Sequence, residues 1–139
     1  MKNITRSTLI TLMLVMSLSA CIRSPAALAP TTSRELATPI ADSPAAGFCA
    51  EHEGSLVSVT INPDMPDPRC SLVSPDQYLR VVNMRGEMIK VSFVGNDVDI
   101  EPGGEHTFDQ PFGNLLMPGV HHFDVSPCCG AELVLRANP

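Results

Sequence analysis

Val57-Ser58-Val59-Thr60-Ile61 alternates apolar and polar residues without a break. Successive side chains of an extended chain point to opposite faces, so this period of two puts Val57, Val59 and Ile61 on one face of a half-buried strand. β-branched residues fit such a pleated surface. The next stretch, Asn62-Pro63-Asp64-Met65-Pro66-Asp67-Pro68, ends the strand, because its prolines have no N–H to give to a ladder.

Working outward, the same alternation returns in short runs. Tyr78 to Asn83 reads as a second strand, Met84-Arg85-Gly86-Glu87 as a turn, and Met88 to Val94 as a third strand with Ile89, Val91 and Phe93 in phase. Gly95-Asn96-Asp97 is a turn, Val98 and Ile100 a short strand, Glu101-Pro102-Gly103-Gly104 a tight turn, and His106 to Asp109 another strand. Pro118-Gly119 turns the chain into Val120 to Val125; Ser126 to Gly130 is a connection, and Ala131 to Arg136 the last strand. Seven or eight strands with turns about every 8–12 residues, and no helical period, predict a small antiparallel β-sandwich or barrel over residues 48–139.

Upstream the composition changes. Residues 21–47 are rich in Pro, Ala, Ser and Thr with no aromatic ring, which predicts a disordered linker. Residues 1–20 have Lys2 and Arg6 ahead of an apolar run from Ser7 to Met16, too short to span a bilayer and of the form of a signal peptide. The run ends in Leu18-Ser19-Ala20-Cys21, which resembles the lipobox of bacterial lipoproteins. That resemblance implies cleavage before Cys21, acylation of its thiol, and a protein anchored by lipid to a bacterial membrane, facing the periplasm or the cell exterior. Acyl chains contribute about 0.8 kcal/mol per buried CH₂ to such an anchor.

Of 9 basic and 15 acidic residues in the chain, the portion from Cys21 onward keeps seven and fifteen, a formal charge of −8. Nucleic-acid binding, which neutralises phosphates with Lys and Arg, is not expected. With Cys21 acylated, four of the 5 cysteines remain: Cys49, Cys70, Cys128 and Cys129. In an oxidising compartment these read as two disulfides. Three pairings exist. The vicinal Cys128–Cys129 bond demands a strained peptide geometry, so the expectation is one staple from Cys49 and one from Cys70 to the 128–129 pair.

Leu79-Arg80-Val81-Val82-Asn83, Val91-Ser92-Phe93, Glu101-Pro102-Gly103-Gly104 and Pro118-Gly119-Val120-His121-His122-Phe123 together resemble a cupredoxin-type β-sandwich; similar patterns occur in immunoglobulin-like ones. The resemblance implies a small antiparallel Greek-key β-sandwich over residues 48–139, without the family's metal. Cupredoxin copper takes two His, a Cys thiolate and usually a Met. Lys90 to Phe93 hold no His, and Val125 is followed by Ser126-Pro127-Cys128-Cys129-Gly130 with no later His or Met.

Other candidates are sparse. His121 and His122 fall on opposite faces of one strand, leaving His122, with Asp124 or His106, as the weak metal candidate. His52, between Glu51 and Glu53, reads as flexible surface charge or part of an acidic cation site. Asp97 and Asp99 share a strand face without a cleft. Cys128-Cys129 has neither zinc-ligand spacing nor a CxxC redox motif. No GxSxG or comparable catalytic setting occurs. The apolar loop with Phe112, Leu115, Leu116 and Met117 is a partner-binding patch if exposed, or else plugs one end of the sandwich. The expected function is a non-enzymatic binding or structural module of the cell envelope, without a cofactor, whose partners are the membrane through Cys21 and an envelope protein. The alternatives are a cupredoxin-related protein binding metal at a non-standard His/Met site, and a β-sandwich protease inhibitor.

Overall fold

The computed structural model describes residues 35–137. The signal peptide, Cys21 and the linker up to residue 34 lie outside the described residues. Ten strands follow in order: β1 (Ala50–Glu51), β2 (Leu56–Ile61), β3 (Pro66–Asp67), β4 (Cys70–Val73), β5 (Tyr78–Asn83), β6 (Ile89–Phe93), β7 (Asn96–Ile100), β8 (Glu105–Thr107), β9 (Gly119–Ser126) and β10 (Cys129–Leu135). They form a six-stranded sheet, β1-β4-β10-β9-β6-β7, and a four-stranded sheet, β3-β2-β5-β8. The chain is therefore a β-sandwich. The strands beyond the seven or eight expected include the two-residue β1 and β3, too short to show a period.

The alternation in the sequence is the alternation in burial. Val57, Val59 and Ile61 of β2 are fully buried, as are Leu79 and Val81 of β5. From the other sheet Ile89, Val91 and Phe93 of β6, Phe123 of β9 and Leu133 of β10 face them. At the centre, the Phe93 ring takes edge-on contacts from Phe108, Phe112 and Phe123, with centroids at 5.3, 6.3 and 6.5 Å. Edge-to-face packing of this kind is favoured by the ring quadrupole.

Pairing is not purely antiparallel, which corrects the expectation. β2 and β5 are parallel, with Val57 opposite Leu79 and Ile61 opposite Asn83. β4 runs parallel to both β1 and β10. The chain leaves the four-stranded sheet after β3, places β4 in the other sheet, and returns beside β2 in the same direction. The β6–β7 turn is also one residue earlier than expected, at Val94-Gly95, so Asn96 and Asp97 belong to β7.

The disulfides require a further correction. Cys49 bonds to Cys70, and Cys128 bonds to its neighbour Cys129. Register explains this. Ala50 lies opposite Ser71, which sets Cys49 beside Cys70, and their Cα atoms are 4.5 Å apart. Cys70 itself lies opposite Glu132, three residues along β10 from Cys129. At about 3.3 Å of rise per residue this offset is about 10 Å, more than a disulfide can span. The expected connection from Ser126 to Gly130 shrinks to a two-residue turn, Pro127-Cys128, because Cys129 and Gly130 already pair with Val125 and Asp124.

Nor is the linker disordered throughout. From Ala37 it docks as a strap on the sandwich. The Ala37 N–H donates to the Leu115 carbonyl, Met117 N–H to Ala37, and Ile40 N–H to Val120, all within 2.9 Å. Pro39 sits where a side chain at residue 119 would be. A Cβ there would meet the Pro39 ring at 2.6 Å, and the residue has φ +135°, so only Gly119 fits. The Glu132 carboxylate then accepts from the Ala45 and Ala46 N–H groups, each at 2.9 Å. A segment with little apolar surface is thus held by backbone partners that composition does not reveal.

At one end of the sandwich, the fully buried Asn83 gathers two loops, those after β5 and β7. Its Nδ2 donates to the carbonyls of Glu87 (2.8 Å) and Ile100 (2.9 Å), and its Oδ1 accepts from Arg85 N–H at 2.9 Å. Its backbone donates to the Gly104 carbonyl and accepts from Gly103 N–H, both at 2.8 Å. We expect Asn83→Asp to destabilise the domain by about 3 kcal/mol or more, because a carboxylate would face two carbonyls with no proton to give. Urea unfolding measures this; a loss under about 1 kcal/mol would show that the two loops do not depend on the amide.

Candidate functional site

The end organised by Asn83 is also where most of the exposed sulfur of the described residues collects. Four loops meet there. The loop after β2 is tied to the loop after β5 twice: Met84 N–H donates to the Ile61 carbonyl at 3.0 Å, and Arg85 Nη1 donates to the Pro63 carbonyl at 2.5 Å. Arg85 is further fixed by Glu87, whose Oε1 accepts at 2.7 and 3.1 Å. The loop after β7 joins through Asn83, as described. The β9–β10 turn joins through the β6–β9 ladder, in which Lys90 lies opposite Ser126.

Met65, Met84 and Met88 project from these loops with 51, 58 and 52% of their surface exposed. The β6–β9 ladder ends here at Lys90 and Ser126, so Met88, just before β6, and Cys128, just after β9, lie at the same end of the sheet. Three of the four described methionines, and the exposed Cys128, thus share one end of the sandwich. This set is not apparent in the sequence, because the residues are scattered over more than 60 positions and only strand pairing brings them together. Its one legible signal is that each methionine stands in or beside a turn.

The residues singled out from sequence fare differently. Phe112, Leu115 and Leu116 are buried in the core, so the expected partner-binding patch is a plug, and Met117 alone is partly exposed. The cause is a short 3₁₀ turn, Phe112–Asn114, which packs against Pro75; a Cβ on Gly113 would lie 2.8 Å from the Pro75 Cβ. His106 and His122 are not brought together. His106 lies on β8 at the edge of the four-stranded sheet, with its ring edge-on to Phe108 at 5.0 Å. It lines a shallow cleft of about 450 Å³ with Asn96, Asp97 and Asp109. His122 is on the outer face of the other sheet, with Nε2 3.4 Å from Asp124 Oδ1. His121 is buried and donates from Nε2 to the Met117 carbonyl at 2.7 Å. Among the described residues no group of three His, Cys, Asp or Glu side chains is placed to share a metal ion.

His52 is not the flexible surface charge expected. Its Nε2 is hydrogen-bonded to Ser71 Oγ at 2.9 Å, and its carbonyl accepts from Gln77 Nε2 at 3.1 Å. Gln77 also donates to the Gly54 carbonyl at 2.8 Å and accepts from Ser74 N–H at 2.9 Å. Ser71 is wholly buried, so its hydroxyl faces no substrate, and the cluster fastens β1 and the turn after it onto β4. Burial lowers the His52 pKa below its ordinary 6.5. In the unfolded chain His52 takes up a proton near that value, while the folded state resists it. Stability is therefore expected to fall as pH drops from about 7 through 6.5 and on through the lowered folded value. His52→Gln should flatten that part of a Tm-against-pH profile; an unchanged slope would assign the effect to other groups.

No family model matches the chain, and no curated protein does. Solved structures that resemble it include a Cu(I) mutant form of amicyanin, with 14% identity over 70% of this chain and 95% of that one. An apo copper-binding protein is 12% identical over 64% of this chain and 98% of its own. The metal-binding domain of the Cu(I)-exporting P-type ATPase CopA of Streptococcus pneumoniae D39 is 11% identical over 66% and 100%. Each superposes with a TM-score of 0.46, and at that level the likeness carries nothing about what this chain binds.

Proposed function

We propose that the protein is a lipid-tethered, extracytoplasmic and non-enzymatic binding module whose working face is the loop end built on Asn83. The observation that carries this reading is the combination of loops fastened by buried hydrogen bonds with three half-exposed methionines. Methionine is unbranched and polarizable, and it adapts its shape to apolar surfaces of a partner. The lipobox at Cys21 supports the tether, and the strap begins some sixteen residues later. A cell expressing Cys21→Ser is expected to move the protein from the membrane to the soluble fraction, and the wild type to take up labelled acyl chains. A soluble wild type would remove the anchor from the reading. For the face, Met84→Glu with Met88→Glu is expected to abolish capture of an envelope partner that Met117→Glu retains. Turnover of an envelope substrate by the purified protein would overturn the non-enzymatic reading.

A second reading has an observation of its own. Three exposed thioethers at one end are the ligand type that suits a soft monovalent metal such as Cu(I). In it the histidines, set apart on two sheets, have no part. Titration of chain 21–139 with Cu(I) is expected to show one equivalent bound below about 10 µM, which corresponds to about 7 kcal/mol. Met84→Leu with Met88→Leu should weaken it at least tenfold. No binding below that concentration rejects the metal reading and leaves the first intact.

A further inference from the structure

The two disulfides of the domain are physically unlike. Cys49–Cys70 joins residues 21 apart, and both are buried, at 7 and 1% exposure. It removes loop-closure entropy from the unfolded chain and shields its sulfur atoms. Cys128–Cys129 joins immediate neighbours. It encloses no loop, so it has no comparable hold on the unfolded ensemble. It also fastens no two elements that are not already paired. The β9–β10 ladder runs without it, from Cys129 opposite Val125 to Leu135 opposite Gly119, and the turn is closed by Cys128 N–H donating to the Val125 carbonyl at 3.0 Å. A bond that neither closes a loop nor holds a contact calls for a reason other than stability.

Its two sulfur atoms also differ. Cys128 is exposed at the tip of the turn. Cys129 is half-buried and packs against the core cluster. The backbone just beyond is held tightly to β9, since a Cβ on Gly130 would lie 2.5 Å from the Phe123 carbonyl oxygen. One sulfur is therefore open to attack and the other is fixed beside it. Exposed disulfides are the ones that exchange.

We propose that Cys128–Cys129 is a thiol–disulfide exchange couple, oxidised in the resting protein and reduced by the dithiol of a protein partner. The first partner thiolate attacks Cys128 Sγ. The Sγ–Sγ bond breaks, and Cys129 leaves as a thiolate that takes up a proton. Cys128 is then joined to the partner in a mixed disulfide. The partner's second thiolate attacks its own bridged sulfur and expels Cys128 as a thiolate, which is protonated in turn. Two electrons and two protons pass from the partner to the pair, and the partner departs as a disulfide. In the reverse direction Cys129 is the resolving thiol. Both forms keep the hairpin, because its ladder does not depend on the bond. This activity goes beyond the proposed binding role and requires neither the lipid anchor nor a metal.

The test uses the folded chain 21–139 with Cys21→Ser to leave four cysteines. The protein is incubated without denaturant at graded ratios of reduced to oxidised dithiothreitol, quenched by alkylation, and mapped by mass spectrometry. We expect two alkyl groups, at Cys128 and Cys129, gained at least 100-fold faster than the two at Cys49 and Cys70. A dithiol oxidoreductase of the CxxC type lacking its second cysteine should be trapped as a mixed disulfide at Cys128. Cys128→Ser with Cys129→Ser should trap nothing and leave Tm within about 2 °C, whereas Cys49→Ser with Cys70→Ser lowers it by about 10 °C or more. Reduction no faster than that of Cys49–Cys70, trapping at Cys129 instead, or a large fall in Tm of the Cys128→Ser, Cys129→Ser protein would each overturn the proposal. Failure of the methionine variants to affect partner capture would leave it standing, since the two faces of the experiment share no residue.

Discussion

The sandwich is organised around the ring of Phe93. It lies on β6 inside the six-stranded sheet, and three other rings press their edges on it from β9, from the segment after β8 and from the 3₁₀ turn. Every ring here is large and apolar, so burial supplies most of the energy, and the quadrupole selects the perpendicular arrangement. The consequence reaches beyond the core. Phe108 and Phe112 flank a connection of only three residues, and with both rings held against Phe93 that connection has little freedom. Leu115 and Leu116 are drawn in after Phe112, and their backbone then offers the Leu115 carbonyl to Ala37. The strap over the sandwich is thus a downstream result of aromatic packing.

The opposite end obeys a different constraint. There the apolar side chains of the turns stand half in solvent, and order comes from hydrogen bonds centred on Asn83 and Arg85. Asn83, wholly buried, uses both side-chain groups and both backbone groups. A buried amide that is fully satisfied stiffens its surroundings, while one left half-satisfied would loosen them. Asn83 binds the loops after β5 and β7 from within, and Arg85 ties the loop after β2 to them, so Met65, Met84 and Met88 stand half in solvent on loops held by hydrogen bonds.

Much of this was legible in the sequence, and the illegible parts share a cause. Val57-Ser58-Val59-Thr60-Ile61 predicts a strand because burial on one face writes a period of two into the chain. Nothing in that period says which strand lies alongside, so the parallel match of β2 with β5 is invisible, and with it the register that separates Cys70 from Cys129. Asn83 looked like the end of a strand, since a turn residue and a buried hub have the same letter. The Phe112 to Met117 loop had two readings because an apolar run does not state whether it faces inward. Gly113 is the local clue to the inward reading, for its lack of a Cβ is what admits Pro75. The strap failed to show because its bonds are made by the backbone, which composition does not record.

The cysteines show how far counting goes and where geometry must take over. With Cys21 set aside for the proposed anchor, parity suggests that the other four pair among themselves, and they do. Parity says nothing of partners. Those follow from a rise of about 3.3 Å per residue along β10, which puts Cys129 out of reach of Cys70. With that reach denied, the adjacent cysteines have only each other, and the resulting bond is freed from the structural role that Cys49–Cys70 already fills. The same displacement leaves Cys128 at the tip of a turn, in solvent, on the end of the sandwich that also carries the methionines. A constraint of strand register thereby converts what sequence suggested was a second staple into the most chemically accessible bond in the domain.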